Sequence, residues 1–226
     1  MPNPSKTVAR IFARCLCAGL LVSATPLLGQ EGACPAGGDL TPPVREKNRV
    51  VSRICAAGKL YELVYAIDRR TLSVATPASK RVVVERTPVG FEPEHVGAEQ
   101  GSRFLPVSLQ PSLDQGEVLY LSARRSTGGD GMGQCGAGVE KHLNVLRINE
   151  KRPQVVARLL ITSCWRGIEL AGLDGQDPDP LSAFSIVNGR LRIQFINYEG
   201  QGSVTAELSD DRRHLLIIPE EKPTLE

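Results

Sequence analysis

Histidine and aromatic residues are scarce in this sequence, which has three histidines and only 4% aromatic residues among its 226. The C-x-x-C, H-x-x-x-H and H-E-x-x-H spacings typical of zinc sites do not occur. The serine-hydrolase signatures G-x-S-x-G and S-x-x-K and the P-loop ending G-K-[ST] are missing as well. Sugar-binding sites, which tend to use exposed aromatic rings, are also disfavoured. We therefore predict no catalytic residue, no metal ligand and no cofactor.

A charge excess of one sign is also missing. The chain has 27 Lys plus Arg against 25 Asp plus Glu, and loss of the three cations of the N-terminal segment described below leaves 24 against 25. A nearly neutral surface offers little attraction to a phosphate backbone or an anionic membrane. No later apolar run approaches the about 20 residues that a membrane helix needs. We expect no nucleic-acid partner and no membrane span.

The N-terminus has the three parts of a secretory signal peptide. Lys6, Arg10 and Arg14 supply the basic region, residues 15–24 (CLCAGLLVSA) the short apolar region, and Val22-Ser23-Ala24 the small residues at which cleavage occurs. We predict that residues 1–24 are removed, with cleavage as late as residue 33 as the alternative. The mature protein would then be secreted or periplasmic.

The mature chain divides into two parts by composition. Residues 25–48 are rich in proline and glycine and are expected to form an irregular arm tied down by Cys34. Residues 49–226 contain the apolar runs of strand length and are expected to form one β-rich domain. A length of about 200 residues suits a single domain.

Four cysteines remain after loss of the signal: Cys34, Cys55, Cys135 and Cys164. An even number in an exported chain favours disulfides, and four cysteines allow three connectivities. We favour Cys34–Cys55 and Cys135–Cys164, because each of these bridges joins neighbouring segments.

Alternation of apolar and polar residues predicts strands through most of the domain. In residues 184–195 (FSIVNGRLRIQF), Asn188-Gly189 separates two alternating runs, which is a strong hairpin signal. One dry and one wet face per strand is typical of antiparallel sheets. The sequence therefore predicts a mostly β protein, an antiparallel β-sandwich or open barrel with few helices.

A glycine-rich segment at residues 126–138 contains GMGQCG, which matches the G-x-G-x-x-G pattern of dinucleotide-binding loops. That pattern requires a helix immediately after the glycines, whose N-terminus faces the pyrophosphate. The residues that follow, 139–149, alternate with a period of two and predict a strand instead. We interpret the segment as a long loop held by a bridge at Cys135.

Four polar residues around this loop are the candidate binding residues: Arg124, Asp130, Glu140 and His142. Glu140 and His142 lie two positions apart on one predicted strand, and Arg124 lies near the end of the strand before the loop. The alternative is an ordinary solvated strand face.

Two further patterns resemble known catalytic or metal-binding motifs but depart from them. Ser163-Cys164-Trp165 resembles the S-C-W of papain-like proteases, but the family's glutamine and second cysteine are missing at matching offsets, and Cys164 follows a strand. The acidic residues Asp174, Asp177 and Asp179 have a spacing that departs from an EF-hand.

These features favour an exported, non-enzymatic β-domain that binds a protein partner, such as an inhibitor, an immunity-type protein or an envelope factor. A secreted hydrolase without a recognisable motif is one alternative. A calcium- or carbohydrate-binding module is the other.

Overall fold

The computed structural model describes Cys34 and residues 44–69, 71–76, 79–86, 103–125, 139–148, 153–172 and 180–219. These residues belong to one compact unit, Glu31–Glu226. They form fourteen described strands and three short 3-10 helices, arranged in three antiparallel sheets.

The N-terminal sheet follows chain order and consists of β1 (Val44–Glu46), β2 (Arg49–Ala56), β3 (Lys59–Ala66), β4 (Thr71–Thr76) and β5 (Ser79–Arg86). Ala57 and Gly58 form the β2–β3 turn with φ of 47° and 72°, which positions the two strands in continuous register. Strand β1 lies at the end of the segment that was expected to be irregular.

The central sheet also follows chain order and consists of β6 (Arg103–Phe104), β7 (Glu117–Arg125), β8 (Val139–Arg147) and β9 (Gln154–Thr162). Between β6 and β7 lie two 3-10 helices, Val107–Leu109 and Leu113–Gln115. Strand β8 begins directly after the glycine-rich segment, so the helix that a dinucleotide site requires is not formed there.

The C-terminal sheet contains β10 (Ile168–Leu170), β11 (Phe184–Val187), β12 (Arg190–Tyr198), β13 (Val204–Leu208) and β14 (Leu215–Ile218). A 3-10 helix, Pro180–Ala183, precedes β11. Asn188 and Gly189 have φ of 51° and 75°, and Val187 pairs with Arg190. The predicted two-residue hairpin is therefore confirmed, because both turn residues adopt the left-handed conformation that Asn and Gly tolerate.

The central sheet contributes to two separate hydrophobic cores. On β7, Val118 and Tyr120 pack with the inner residues of the N-terminal sheet, whereas Leu119 and Leu121 pack with the C-terminal sheet. This alternation follows from the period of two along a strand. The prediction of a mostly β, antiparallel and sandwich-like protein is confirmed.

The first predicted disulfide is present. Cys34 is bonded to Cys55 in β2, with the two Cα atoms 5.6 Å apart. Cys164, in the turn after β9, is also disulfide-bonded. Its predicted partner Cys135 lies in the segment 126–138, outside the described residues, so the second pairing stays a prediction. No helix in the described part of the chain is long and apolar enough to cross a membrane.

Candidate functional site

Three of the four predicted binding residues lie on neighbouring strands of the central sheet. Arg124 in β7 is paired in register with Glu140 in β8, and His142 is paired with Ser122 two residues along the ladder. Glu140 accepts a hydrogen bond from Ser163 Oγ at 3.1 Å. The fourth predicted residue, Asp130, lies outside the described residues. The sequence reasoning thus selected a group of residues that are close in space.

The partner of Arg124 was not predicted: it is Glu85, from the N-terminal sheet. The side chain of Glu85 is 1% exposed, and one carboxylate oxygen contacts the Arg124 guanidinium. The other oxygen lies 3.3 Å from a terminal nitrogen of Arg158 in β9. A buried carboxylate is thereby shared between two arginines, which are 23% and 32% exposed. Such pairing is what makes a buried charge tolerable.

A β-bulge explains why Glu85 points towards the central sheet. The register between β4 and β5 passes from Leu72–Glu85 to Ser73–Val83, so Val84 is an extra residue. In regular alternation, consecutive residues would face opposite sides of the sheet. Here Val84 packs against the first core and Glu85 also reaches the central sheet. The bulge re-aims the carboxylate, as bulges commonly do at functional sites.

Asn144 in β8 holds the arginine in place. Its side-chain oxygen accepts a hydrogen bond from Arg158 Nε at 3.2 Å, and its amide nitrogen donates to Ser122 Oγ at 2.9 Å. Asn144 is fully buried. Both ends of this amide are used, so the network is ordered around Arg158.

Three buried polar atoms of this group have no hydrogen-bond partner: the Tyr120 hydroxyl, His142 Nδ1 and Glu85 Oε2, whose contact with Arg158 is an ion pair only. Burial raises the pKa of the Tyr120 phenol far above its ordinary value, and the negative charge of Glu85 adds to this effect. Burial lowers the pKa of His142 to about 4, with the positive charges of Arg124 and Arg158 acting in the same direction. His142 is therefore neutral at pH 7.

We call this group the Glu85 cluster; its members are Glu85, Tyr120, Arg124, His142, Asn144 and Arg158. The burial of Tyr120 and Asn144 means that this side of the central sheet is not a fully solvated face, which was the alternative interpretation of the sequence.

The Glu85 cluster adjoins a surface groove. The groove has a volume of about 440 Å³ and is lined by Val83 and Val84 of β5 and by residues 153–158, at the start of β9. Arg158 belongs to both features, because its side chain lines the groove while contacting Glu85. We call this feature the β5–β9 groove.

The charged side chains of the Glu85 cluster contact one another. Glu85, the buried carboxylate, is contacted by two arginines. Among the described residues, no group of three or more His, Cys, Asp or Glu side chains has the geometry of a metal site. The contacts of the cluster hold Arg158 beside the groove.

Sequence reasoning missed Glu85, Arg158, Tyr120 and Asn144. Residues 81–86 (RVVVER) predict an ordinary strand. No residue in this run predicts the bulge that turns Glu85 towards the central sheet. Arg158 and Tyr120 likewise lie inside ordinary strand patterns. Asn144 gave no usable signal either, because it lies between Leu143 and Val145, where the alternation of β8 predicts a polar residue on the solvated face.

Comparison with known protein families, with curated proteins and with solved structures found no match to this chain.

Proposed function

We propose that this protein is an exported, non-enzymatic β-domain that binds a protein partner, and that an extended segment of the partner lies in the β5–β9 groove. The observation that carries the proposal is the placement of two sheet edges along one groove. Strand β5 is the last strand of the N-terminal sheet, and β9 is the last strand of the central sheet.

Strands β5 and β9 are edge strands of their sheets in the described part of the chain. In the part of the chain that the structure describes, neither β5 nor β9 pairs with a further strand on its groove side. Residues 154–160 of β9 are all at least partly exposed, whereas residues 143–146 of the neighbouring β8 are all buried. An open strand edge is a template for a strand from another chain, and main-chain hydrogen bonds then supply much of the affinity.

The side chains of the groove provide a basis for selectivity. Its walls carry valines from both strands, and Arg158 is the charged side chain among its lining residues. Arg158 is held by Asn144 and Glu85, which use only part of its five donors. An arginine fixed in this way loses little conformational entropy on binding. We therefore expect the partner segment to place a hydrogen-bond acceptor next to Arg158.

The Cys34–Cys55 bridge supports the export part of the proposal, because disulfides persist in secreted and periplasmic proteins and are rare in the cytosol. N-terminal sequencing of mature protein from the natural host tests it. The chain is expected to begin between Thr25 and Ala33. Folded, functional protein that retains Met1 would contradict export.

Site-specific photo-crosslinking in the natural host tests the groove. A photoreactive amino acid is placed at Val83 on one wall and, separately, at Gln154 on the other. Val44 in β1 is the matched control, because it lies on the opposite edge strand of the same sheet and is 48% exposed against 47% for Val83. Both groove positions are expected to crosslink to one and the same protein, and Val44 to none. Equal crosslinking from Val44, or different proteins from the two walls, would refute the groove as the binding site.

A further inference from the structure

A second recess lies on the N-terminal sheet and is larger than the β5–β9 groove. It has a volume of about 820 Å³ and is bounded by the β1–β2 turn, the β3–β4 turn and β5. Its size falls within the range of small-molecule sites. The two turns are joined by a hydrogen bond from the backbone amide of Ile67 to the carbonyl of Asn48, at 2.8 Å. We call this feature the turn recess.

Positive charge predominates in the turn recess. Its lining includes four cations and two acids: Lys47, Arg49, Arg69, Arg81, Glu46 and Asp68. Glu46 is bound by Arg49, with 2.7 Å between Nε and the carboxylate oxygen, and Asp68 lies 3.8 Å from Arg69. Among the described residues, Lys47 and Arg81 have no acidic partner. Two unneutralised cations therefore face one recess.

The floor and rim of the turn recess are polar. Thr71, Ser73 and Asn48 line it, and among the described lining residues Ala66 and Val83 are the aliphatic ones. Ser73 is buried and donates a hydrogen bond to the Val64 carbonyl at 3.3 Å. An uncharged, apolar ligand would find little apolar surface here, whereas hydroxyl and amide groups can bind the oxygens of an anion.

The backbone of Lys47 makes a clean test of its side chain possible. Lys47 has φ of 44° at the first position of the two-residue turn between Glu46 and Arg49. Left-handed conformations there favour glycine, so glycine fits this backbone without strain. Lys47 is one of the residues that line the turn recess.

We propose that the turn recess binds a small, multiply charged anion that carries phosphate or carboxylate groups, with Lys47 and Arg81 as its principal ligands. The turn recess adjoins the β5–β9 groove, because Val83 lines both, but Lys47 and Arg81 line the recess alone. Two cations from different elements of one recess suit a ligand with at least two anionic groups better than a single phosphate.

Titration calorimetry of the mature protein at low ionic strength tests the proposal, with inorganic tripolyphosphate and citrate as probes and orthophosphate for comparison. Saturable binding of one probe per chain is expected, weaker for orthophosphate. Lys47→Gln and Arg81→Gln should each lower the affinity about tenfold. Arg45→Gln is the matched control, because Arg45 is an exposed cation on β1 outside the recess and its loss changes the net charge equally.

Lys47→Gly separates binding from folding. Glycine relieves the strained backbone, so Tm should stay the same or rise while affinity falls as in Lys47→Gln. Loss of affinity in Arg45→Gln as large as in Arg81→Gln would refute the site and indicate non-specific attraction. Absence of saturable binding would refute it too, as would binding only to vesicles of anionic lipid. None of these results would alter crosslinking from Gln154, which tests the groove.

Discussion

The two faces of the central sheet both pack against another sheet, but they bury different kinds of side chain. Towards the C-terminal sheet, the core consists of aliphatic and aromatic side chains. A polar residue buried near it, Gln110, is fully satisfied: its side chain bonds to the Leu119 amide at 2.7 Å and to the carbonyls of Leu105 and Leu119. Towards the N-terminal sheet, the apolar core adjoins Glu85 and its two arginines. One face is built for stability and the other carries charge.

The difference supports the proposal that the β5–β9 groove binds a partner. Removing charges from water is costly, and a buried ion pair adds little net stability compared with apolar residues of similar volume. The C-terminal face shows that this chain can build a core whose buried polar residue, Gln110, carries no charge and has its hydrogen bonds satisfied. The unpartnered Tyr120 hydroxyl and His142 Nδ1 add a further cost on the N-terminal face. A feature that is expensive for stability and adjoins an open groove is best explained by binding.

The largest expected effect concerns the apolar face. Leu143 is fully buried in the second core, so Leu143→Ala removes buried methyl groups and leaves a cavity. We expect a loss of about 3–5 kcal/mol in the free energy of unfolding, measured by urea denaturation. Exposed Leu216→Ala in β14 is the control and should change stability by less than about 0.5 kcal/mol. A small effect at Leu143 would mean that the second core is not close-packed.

The second largest expected effect is the loss of stability when a disulfide is removed. Cys55→Ser breaks the bridge to Cys34 and is expected to cost about 2–4 kcal/mol. Cys164→Ser should cost a similar amount, and if Cys135 is its partner, adding Cys135→Ser should cost little more, because one bridge is lost in either case. Additive losses, or peptide mapping that joins Cys164 to another cysteine, would contradict the predicted pairing.

The charged face should respond to substitution in a different way. Glu85→Gln leaves Arg124 and Arg158 without their shared carboxylate, and we expect a loss of about 2–3 kcal/mol. The triple variant Glu85→Leu, Arg124→Met, Arg158→Met removes all three charges. It should recover most of that loss in urea denaturation, because no charge is left unpaired. A triple variant less stable than Glu85→Gln would show that the cluster is a source of stability and would remove the argument that it serves binding.

The hairpin of the C-terminal sheet could be predicted from the sequence, whereas the Glu85 cluster could not. Residues 184–195 predict their hairpin because Asn188-Gly189 determines the turn and the alternation determines the faces. The Glu85 cluster depends on the one-residue bulge at Val84 and on contacts between strands some 40 to 70 residues apart. Arg124 and His142 were identified because they border a conspicuous loop. Glu85, the partner of Arg124, was not identified, because period-two alternation alone does not predict that its side chain faces the central sheet.

The smallest expected effect is a pH dependence that belongs to the charged face alone. The pKa of His142 is lowered to about 4, below the ordinary value of 6.5, by burial and by Arg124 and Arg158. Between these two values the unfolded chain binds a proton that the folded chain does not, so stability falls as pH drops from 6.5 towards 4. Because the ring is only partly buried, solvent screening reduces the change to about 1 kcal/mol.

His142→Gln tests this dependence by comparison with the unsubstituted protein. Stability is measured by urea denaturation at pH 7 and pH 5. This range lies above the window in which Glu207 and Asp211, whose pKa values are lowered by hydrogen bonds, lose their contributions. His142→Gln should reduce the difference between the two pH values. If His142→Gln leaves the difference intact, the ring titrates as in water. The central sheet would then be no more desolvated on its charged face than at its surface, and the contrast between the two faces would be lost.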